Sequence, residues 1–182
     1  IEWKLNDRSV DFLSDDIDCA IRVGAEVDPA TVSVLLAEVP RSVVVSPALL
    51  AQFATPVHPD DLSALPWVAL STFYHQHIEL FKGGVIEPTR VAISPRLSTD
   101  SLYVARNTAL MGLGVAAVSS WTVEEDIRQG RLVHLLPDWQ PSPLPVHLVY
   151  PWSRYYPARL RRFLEMMREV MPQMAGMRKP LA

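Results

Sequence analysis

Two apolar runs, Arg41 to Val45 and Val146 to Tyr150, constrain this chain more than any other feature. Each reads as a short buried strand. The stretch between them carries strand and helix patterns of its own, so the expected organisation is two lobes joined by two crossing strands. Residues 1–45 and 147–182 then form lobe I, and residues 46–146 form lobe II. A cleft between lobes, beside the carboxyl ends of strands, is a favoured place for a ligand.

The patterning outside those runs alternates strands with helices. Ile1, Trp3 and Leu5 alternate with Glu2 and Lys4, the period of a strand with one buried face. Asn6 to Ser9 supply a turn and a cap, and Val10, Phe12 and Leu13 give a short helix ending near Asp15-Asp16. Asp18 to Gly24 reads as the next strand, which completes a βαβ unit. Ser46 and Pro47 have the N-cap and first-position chemistry of a helix running to Phe53. Pro56, Pro59 and Pro66 punctuate a loop before the apolar Trp67 to Leu70. Gly83-Gly84 suggests a hairpin returning through Val91 to Ile93. Thr99 or Asp100 caps a helix whose Leu102, Ala105, Ala109 and Leu110 share one face, and Gly112 stops it. Val115 to Val118 is a strand, Thr122 to Glu125 has capping-box spacing, and Gly130 closes that helix. Leu132 to Leu136 is a strand, and prolines 137, 141, 143 and 145 lead into the second crossing strand. Pro157 opens a last helix with Leu160, Phe163, Leu164, Met167, Val170 and Met171 as its stripe before Pro172. The class is α/β.

Composition narrows the function. The 182 residues, 49% hydrophobic, are enough for one large domain or two small lobes without metal or disulfide staples. A net charge of −3 makes this segment a poor nucleic-acid binder by itself. A single Cys excludes an intramolecular disulfide and fits a reducing compartment. The longest uncharged run, Asn107 to Val123, is broken by glycines, serines and Asn and falls short of a membrane span, so a soluble protein is expected. The chain opens without Met or a signal pattern and reads as starting inside a fold. From residue 151 onward the net charge is +5, leaving −8 on residues 1–150. A basic helix can meet DNA or a membrane, but Arg161, Arg162 and Arg168 are also what a solvated outer face requires.

An ordered series of motifs carries a family resemblance. Asp18-Cys19-Ala20-Ile21-Arg22-Val23-Gly24, Val45-Ser46-Pro47-Ala48-Leu49-Leu50 and Pro59-Asp60-Asp61-Leu62 come first. Ala109 to Val115, Asp126 to Val133 with Leu136-Pro137-Asp138-Trp139, and Val146 to Pro151 with Phe163-Leu164 follow. The chain resembles the effector-binding domain of LysR-type transcriptional regulators. That resemblance implies two Rossmann-like lobes joined by two crossover strands, the type 2 periplasmic-binding-protein fold, here lacking its first strand and helix. It implies a small-molecule effector, an organic acid or an aromatic, held in the interlobe cleft. It also implies DNA contact only through an amino-terminal helix-turn-helix outside this sequence, a cytoplasmic location, no enzymatic activity and no cofactor. A homodimer or homotetramer is implied, pairing the Ser9 to Asp15 helix with the Asp100 to Met111 helix of a partner. Three positions depart from the pattern: Asp16 stands where Gly is usual, Thr99 where Asn is frequent and Ser119 where Pro is frequent. A solute-binding protein of a transport system shares the fold and is the alternative, and a small α/β enzyme is a third reading.

The candidate effector-binding residues are Arg22, Gly24, Ser71, Thr72, Phe73, Ser98, Thr99 and Asp100. Arg22 ends a strand beside Gly24, where a guanidinium can hold a carboxylate, or pair with Asp18, or face solvent. Ser98, Thr99 and Asp100 open a helix whose N–H groups and hydroxyls suit an anionic group, although helix capping accounts for Thr99 and Asp100 equally well. Ser71, Thr72 and Phe73 leave a strand into a loop. His75 and His77 have a spacing a metal could use but lack further ligands nearby in sequence, so no metal is expected. Gly112-Leu113-Gly114 lies between helix and strand, the reverse of a dinucleotide fingerprint, and reads as a helix stop and a close-packed strand entry. No G-x-S-x-G is present, and Cys19 reads as a buried small residue.

Overall fold

The computed structural model describes residues 2–4, 11–12, 14–24, 29–83 and 87–180. The elements in chain order are β1 (Ala20–Val23), β2 (Thr31–Val39), β3 (Arg41–Val45), α1 (Pro47–Leu50), β4 (Trp67–Leu70), β5 (His77–Lys82) and β6 (Thr89–Ala92). They continue with β7 (Pro95–Thr99), α2 (Leu102–Leu110), β8 (Ala116–Ser119), α3 (Ser120–Arg128), β9 (Val133–His134), β10 (Trp139–Pro141), β11 (Leu144–Pro151) and α4 (Ala158–Val170). Short 3-10 turns cover Pro59–Ala64 and Met171–Gln173.

Two separate apolar clusters organise these elements. In one sheet β11 lies between β1 and β2, antiparallel to both. Leu36, Val146, Leu148 and Tyr150 of this sheet share a core with Leu160, Leu164 and Met167 of α4 and with Met171. The other core forms around β3, which pairs antiparallel with β8 on one edge and β9 on the other. Val115, just before β8, bridges in parallel to Trp67, and β4 pairs in parallel with β7. Helix α2 connects β7 to β8 and buries Ala105 and Ala109 against them, a compact βαβ crossover. A small antiparallel sheet, β10-β5-β6, completes this part.

Among the described residues, the chain crosses between the cores twice. Val39 belongs to the α4 core and Val43 to the other, so the first crossing runs through residues 40–42. The second lies between Pro141 at the end of β10 and Leu144 at the start of β11. Leu144 pairs with Val39, which sets the two crossings side by side.

Local chemistry explains where the expected elements stand and where they shift. Ser46 Oγ accepts from Leu49 N at 3.3 Å with Pro47 at the first position, but α1 is a single turn and stops before Phe53. The cap of α2 is Ser101, whose hydroxyl accepts from Val104 N at 3.4 Å. Thr99 and Asp100 do not cap it, because Thr99 is the last residue of β7 and its hydroxyl accepts from Ser101 N at 3.1 Å. No capping box starts at Thr122, because its hydroxyl donates to the Ser119 carbonyl at 2.7 Å and the Glu125 carboxylate is taken by Arg128 and Gln129. Asp16 adopts the left-handed conformation expected of a Gly substitute, with φ of 51°. A Cβ on Gly114 would lie 2.9 Å from the Trp67 carbonyl carbon, so the G-x-G segment is a close-packed strand entry. Of the last helix stripe, Val170 is exposed, while Arg161, Arg162 and Arg168 form the solvated face.

At the amino terminus, residues 2–4 have no regular structure, and Ile1 and Leu5 lie outside the described residues. The expected turn and helix start at 6–10, and Leu13, also lie outside them. Residues 12 and 14–16 lie in turns, with Asp15 N donating to Asp11 O at 2.9 Å, in place of the expected helix end. Gly84 lies outside the described residues too, although β5 and β6 pair antiparallel as the hairpin requires.

Candidate functional site

A cleft of about 520 Å³ opens where the two crossings meet. One wall is the end of β1, with Arg22, Val23 and Gly24, and the other is the loop after β4, with Thr72, Phe73 and Tyr74. His77, Ile78 and Glu79 of β5 and Arg90 of β6 form a rim, and Arg41 with Ser142 to Pro145 forms the floor. Both cores therefore contribute, and the volume suits a small organic molecule.

Of the residues picked out by sequence, Arg22, Gly24, Thr72 and Phe73 come together on this cleft. Ser71, Ser98, Thr99 and Asp100 are not among its lining residues. They stand behind the Thr72 loop: Ser71 N donates to Thr99 O at 2.8 Å, and the Thr72 hydroxyl donates to Asp100 O at 3.4 Å. The parallel β4–β7 pairing, with Leu70 opposite Thr99, brings these two segments together.

Gly24 is needed for two reasons. Its φ of +118° disfavours any side chain, and a Cβ there would sit 3.3 Å from Phe73 Cε1 across the cleft. Its N–H also donates to Pro145 O at 2.9 Å, which holds the loop after β1 to the second crossing. Gly24→Ala is expected to cost about 1–3 kcal/mol through backbone strain and to push Phe73 outward. A urea titration with tryptophan fluorescence checks the first effect, and an unchanged midpoint would contradict it.

The charges on the cleft are unbalanced. Arg22, Arg41 and Arg90 face it with Glu79 as the one carboxylate among its lining residues. Glu79 and Arg90 are cross-strand partners. Arg22 does not pair with Asp18, which instead meets Arg159 at 3.2 Å. Arg41 is not among the candidates that the sequence offers. It is only 7% exposed, its Nε donates to Ser142 O at 2.7 Å, and its Nη1 is buried without a partner. Burial pushes its pKa down to about 10, because the charged form has lost its hydration. The available signal was a cation embedded in a β-branched run at the start of a crossing strand. Tyr74 is a structural neighbour, its hydroxyl donating to Val68 O and accepting from Ala117 N, each at 2.9 Å; burial raises its pKa to about 12.

A second hollow, of about 270 Å³, lies beside Trp121 and Gly176 and presents mainly apolar groups. Among the described residues no group of three or more His, Cys, Asp and Glu is placed to hold a metal ion. No helix among them is long and apolar enough to cross a membrane.

Two cores, two crossing strands and a cleft at the crossing define a two-lobed ligand-binding domain with the type 2 periplasmic-binding-protein fold. The LysR substrate binding domain model matches residues 1–172, and the chain belongs to that family. Among curated proteins it is 30% identical over 172 residues to the HTH-type transcriptional regulator PtxR of Pseudomonas aeruginosa, covering 93% of this chain and 54% of that protein. It is 30% identical over 169 residues to the HTH-type transcriptional regulator DmlR of Escherichia coli, covering 93% and 55%. The chain thus spans about half the length of these relatives, which are regulators and not enzymes. Among solved structures, the CrgA regulatory domain of Neisseria meningitidis aligns with a TM-score of 0.63 at 25% identity, covering 88% of this chain and 80% of that one. Full-length AphB of Vibrio cholerae aligns with a TM-score of 0.70 at 21% identity, covering 92% and 57%, a likeness of fold.

Proposed function

We propose that this chain is the sensing half of a longer cytoplasmic regulator, in which a small organic acid or aromatic effector enters the cleft and alters transcription through a DNA-binding domain elsewhere in the protein. The observation that carries the reading is the position of the cleft: its floor is the pair of strand crossings, so a ligand there touches both lobes and the two strand crossings between them. Arg22, Gly24, Thr72 and Phe73 act as effector contacts, and Ser71, Ser98, Thr99 and Asp100 support the Thr72 loop from behind. An effector that fits one lobe arrangement better than another shifts the population by that difference in affinity. Homo-oligomers transmit the shift, and Tyr103, Val104 and Met111, all exposed on or beside α2, provide an apolar face for a second copy. The curated relatives favour regulation over transport.

The test couples binding to transcription in the full-length protein. A compound that raises the thermal midpoint is expected to change expression from the regulator's own promoter region in a reporter strain, with the response lost in Arg22→Gln. A ligand that binds the cleft tightly and leaves expression and DNA occupancy untouched would refute the regulatory reading.

A further inference from the structure

We infer that Arg41 is the anchor of the effector and that the effector carries a single carboxylate on an apolar body. This deepens the sensing role proposed above and rests on it. Three observations carry it. The Arg41 guanidinium is buried on the floor of the cleft, spends Nε on the Ser142 carbonyl and leaves Nη1 without a partner. None of the ion pairs among the described residues includes Arg41, Arg22 or Arg90. Val23, Phe73, Leu144 and the prolines at 143 and 145 give the cleft an apolar side that suits a hydrocarbon or ring, beside the polar Thr72, His77 and Ser142.

A buried cation with an idle donor is costly, and the cost falls when an anion completes its hydrogen bonds. A carboxylate is planar and presents two acceptor oxygens that match a guanidinium edge. Glu79 on the rim repels a second negative charge brought beside it, so an effector whose apolar body lies toward that rim is favoured there over a dicarboxylate or phosphate. Arg22, half-buried, and Arg90, exposed, draw the anion in, while Arg41 at the end of the cleft fixes its position. The anchor also has a mechanical consequence. Arg41 stands on the first crossing and Ser142 on the second, so their 2.7 Å bond clasps both connections between the lobes. A carboxylate that takes hold of this guanidinium acts on the hinge itself.

The test uses matched pairs on the full-length protein: benzoate, phenylacetate and hexanoate against benzamide, phenylacetamide and hexanamide, with inorganic phosphate as a further arm. Titration calorimetry and thermal midpoints at constant ionic strength are the readouts. At least one acid is expected to bind while its amide and phosphate do not. Arg41→Gln is expected to weaken that acid by roughly ten- to a hundredfold, the loss of one charge-assisted hydrogen bond. Arg41→Lys, which keeps the charge and loses the fork, is expected to fall between them, and the exposed Arg161→Gln to leave binding unchanged. If Arg41→Gln does not fold, the acid–amide comparison and Arg41→Lys decide alone. The proposal is overturned if amides bind as well as acids, if phosphate matches them, if no acid binds, or if Arg41→Gln and Arg41→Lys keep wild-type affinity. Acid binding without any change in reporter expression would instead remove the regulatory reading and leave the carboxylate site standing. Neutral compounds that alter expression while no acid binds would do the reverse.

Discussion

Replacing Asp126 by Ala is expected to destabilise the protein by about 3 kcal/mol, seen as a lowered urea midpoint with an unchanged slope. The Asp126 side chain has no exposure and lies on α3 between two arginines. Oδ2 accepts from Arg106 Nε at 2.7 Å and meets Nη2 at 2.6 Å; Oδ1 accepts from Arg131 Nε at 2.8 Å and meets Nη2 at 2.5 Å. Its own backbone carbonyl accepts from Arg131 N and Leu132 N, closing the end of α3. One carboxylate thus ties α2, α3 and the entry to β9 together. Truncation leaves two guanidiniums without their acceptor, which is the expensive way to break a buried pair. The low end of the usual range applies because the Arg131 side chain is 47% exposed and can turn to water. Asp126→Asn keeps the shape and one good acceptor, so it is expected to lose less. A midpoint within about 0.5 kcal/mol of wild type for Asp126→Ala, the range of an ordinary surface change, would contradict this account.

That network shows why some of the architecture was legible in sequence and some was not. The crossing strand β3 could be read because Val43, Val44 and Val45 are buried on both faces, so the apolar run is continuous. Gly112 and Gly130 marked helix ends by local backbone demands, and both have positive φ. Strand β2 was not anticipated. Its pairing with β11 shifts register between Val146 and His147, so Leu35 is exposed while Leu36 and Ala37 are buried, and the alternation that announces a strand is interrupted. Strand β7 begins at Pro95 and carries Arg96 and Ser98 on an exposed edge, with no apolar stripe to detect. The cleft followed the same division. Arg22 and Gly24 stand together at a strand end and are visible as neighbours. Arg41 has meaning only beside Ser142, a partner 101 residues away that no local pattern supplies. The helix start lies one or two residues beyond Thr99 and Asp100, since Ser101 caps it and Thr99 is held in β7.

Trp67→Ala is expected to be at least as costly as any other single truncation, about 3–5 kcal/mol, out of the roughly 5–15 kcal/mol that holds a domain folded. Trp67 is wholly buried, its Nε1 donates to Leu62 O at 2.8 Å, and its ring meets Tyr74 edge-on at 6.2 Å. Gly114 packs on its backbone from the other side. The same ring therefore supports the β4 core and the loop that carries Thr72, Phe73 and Tyr74 to the cleft. Trp67→Ala is expected to lower stability and also to weaken the acid binding proposed for Arg41 in the molecules that remain folded, because Tyr74 loses its edge contact and Phe73 its fixed position. Trp67→Phe separates the two effects. It keeps a ring against Tyr74 but leaves the Leu62 carbonyl with only its longer bond from Leu65 N at 3.3 Å and fills less volume, so it is expected to cost about 1–3 kcal/mol with ligand affinity retained. Urea midpoints and benzoate titrations on both variants make the comparison. If Trp67→Phe lost affinity as fully as Trp67→Ala, the loop would depend on the indole hydrogen bond to Leu62 and not on the edge-on contact with Tyr74.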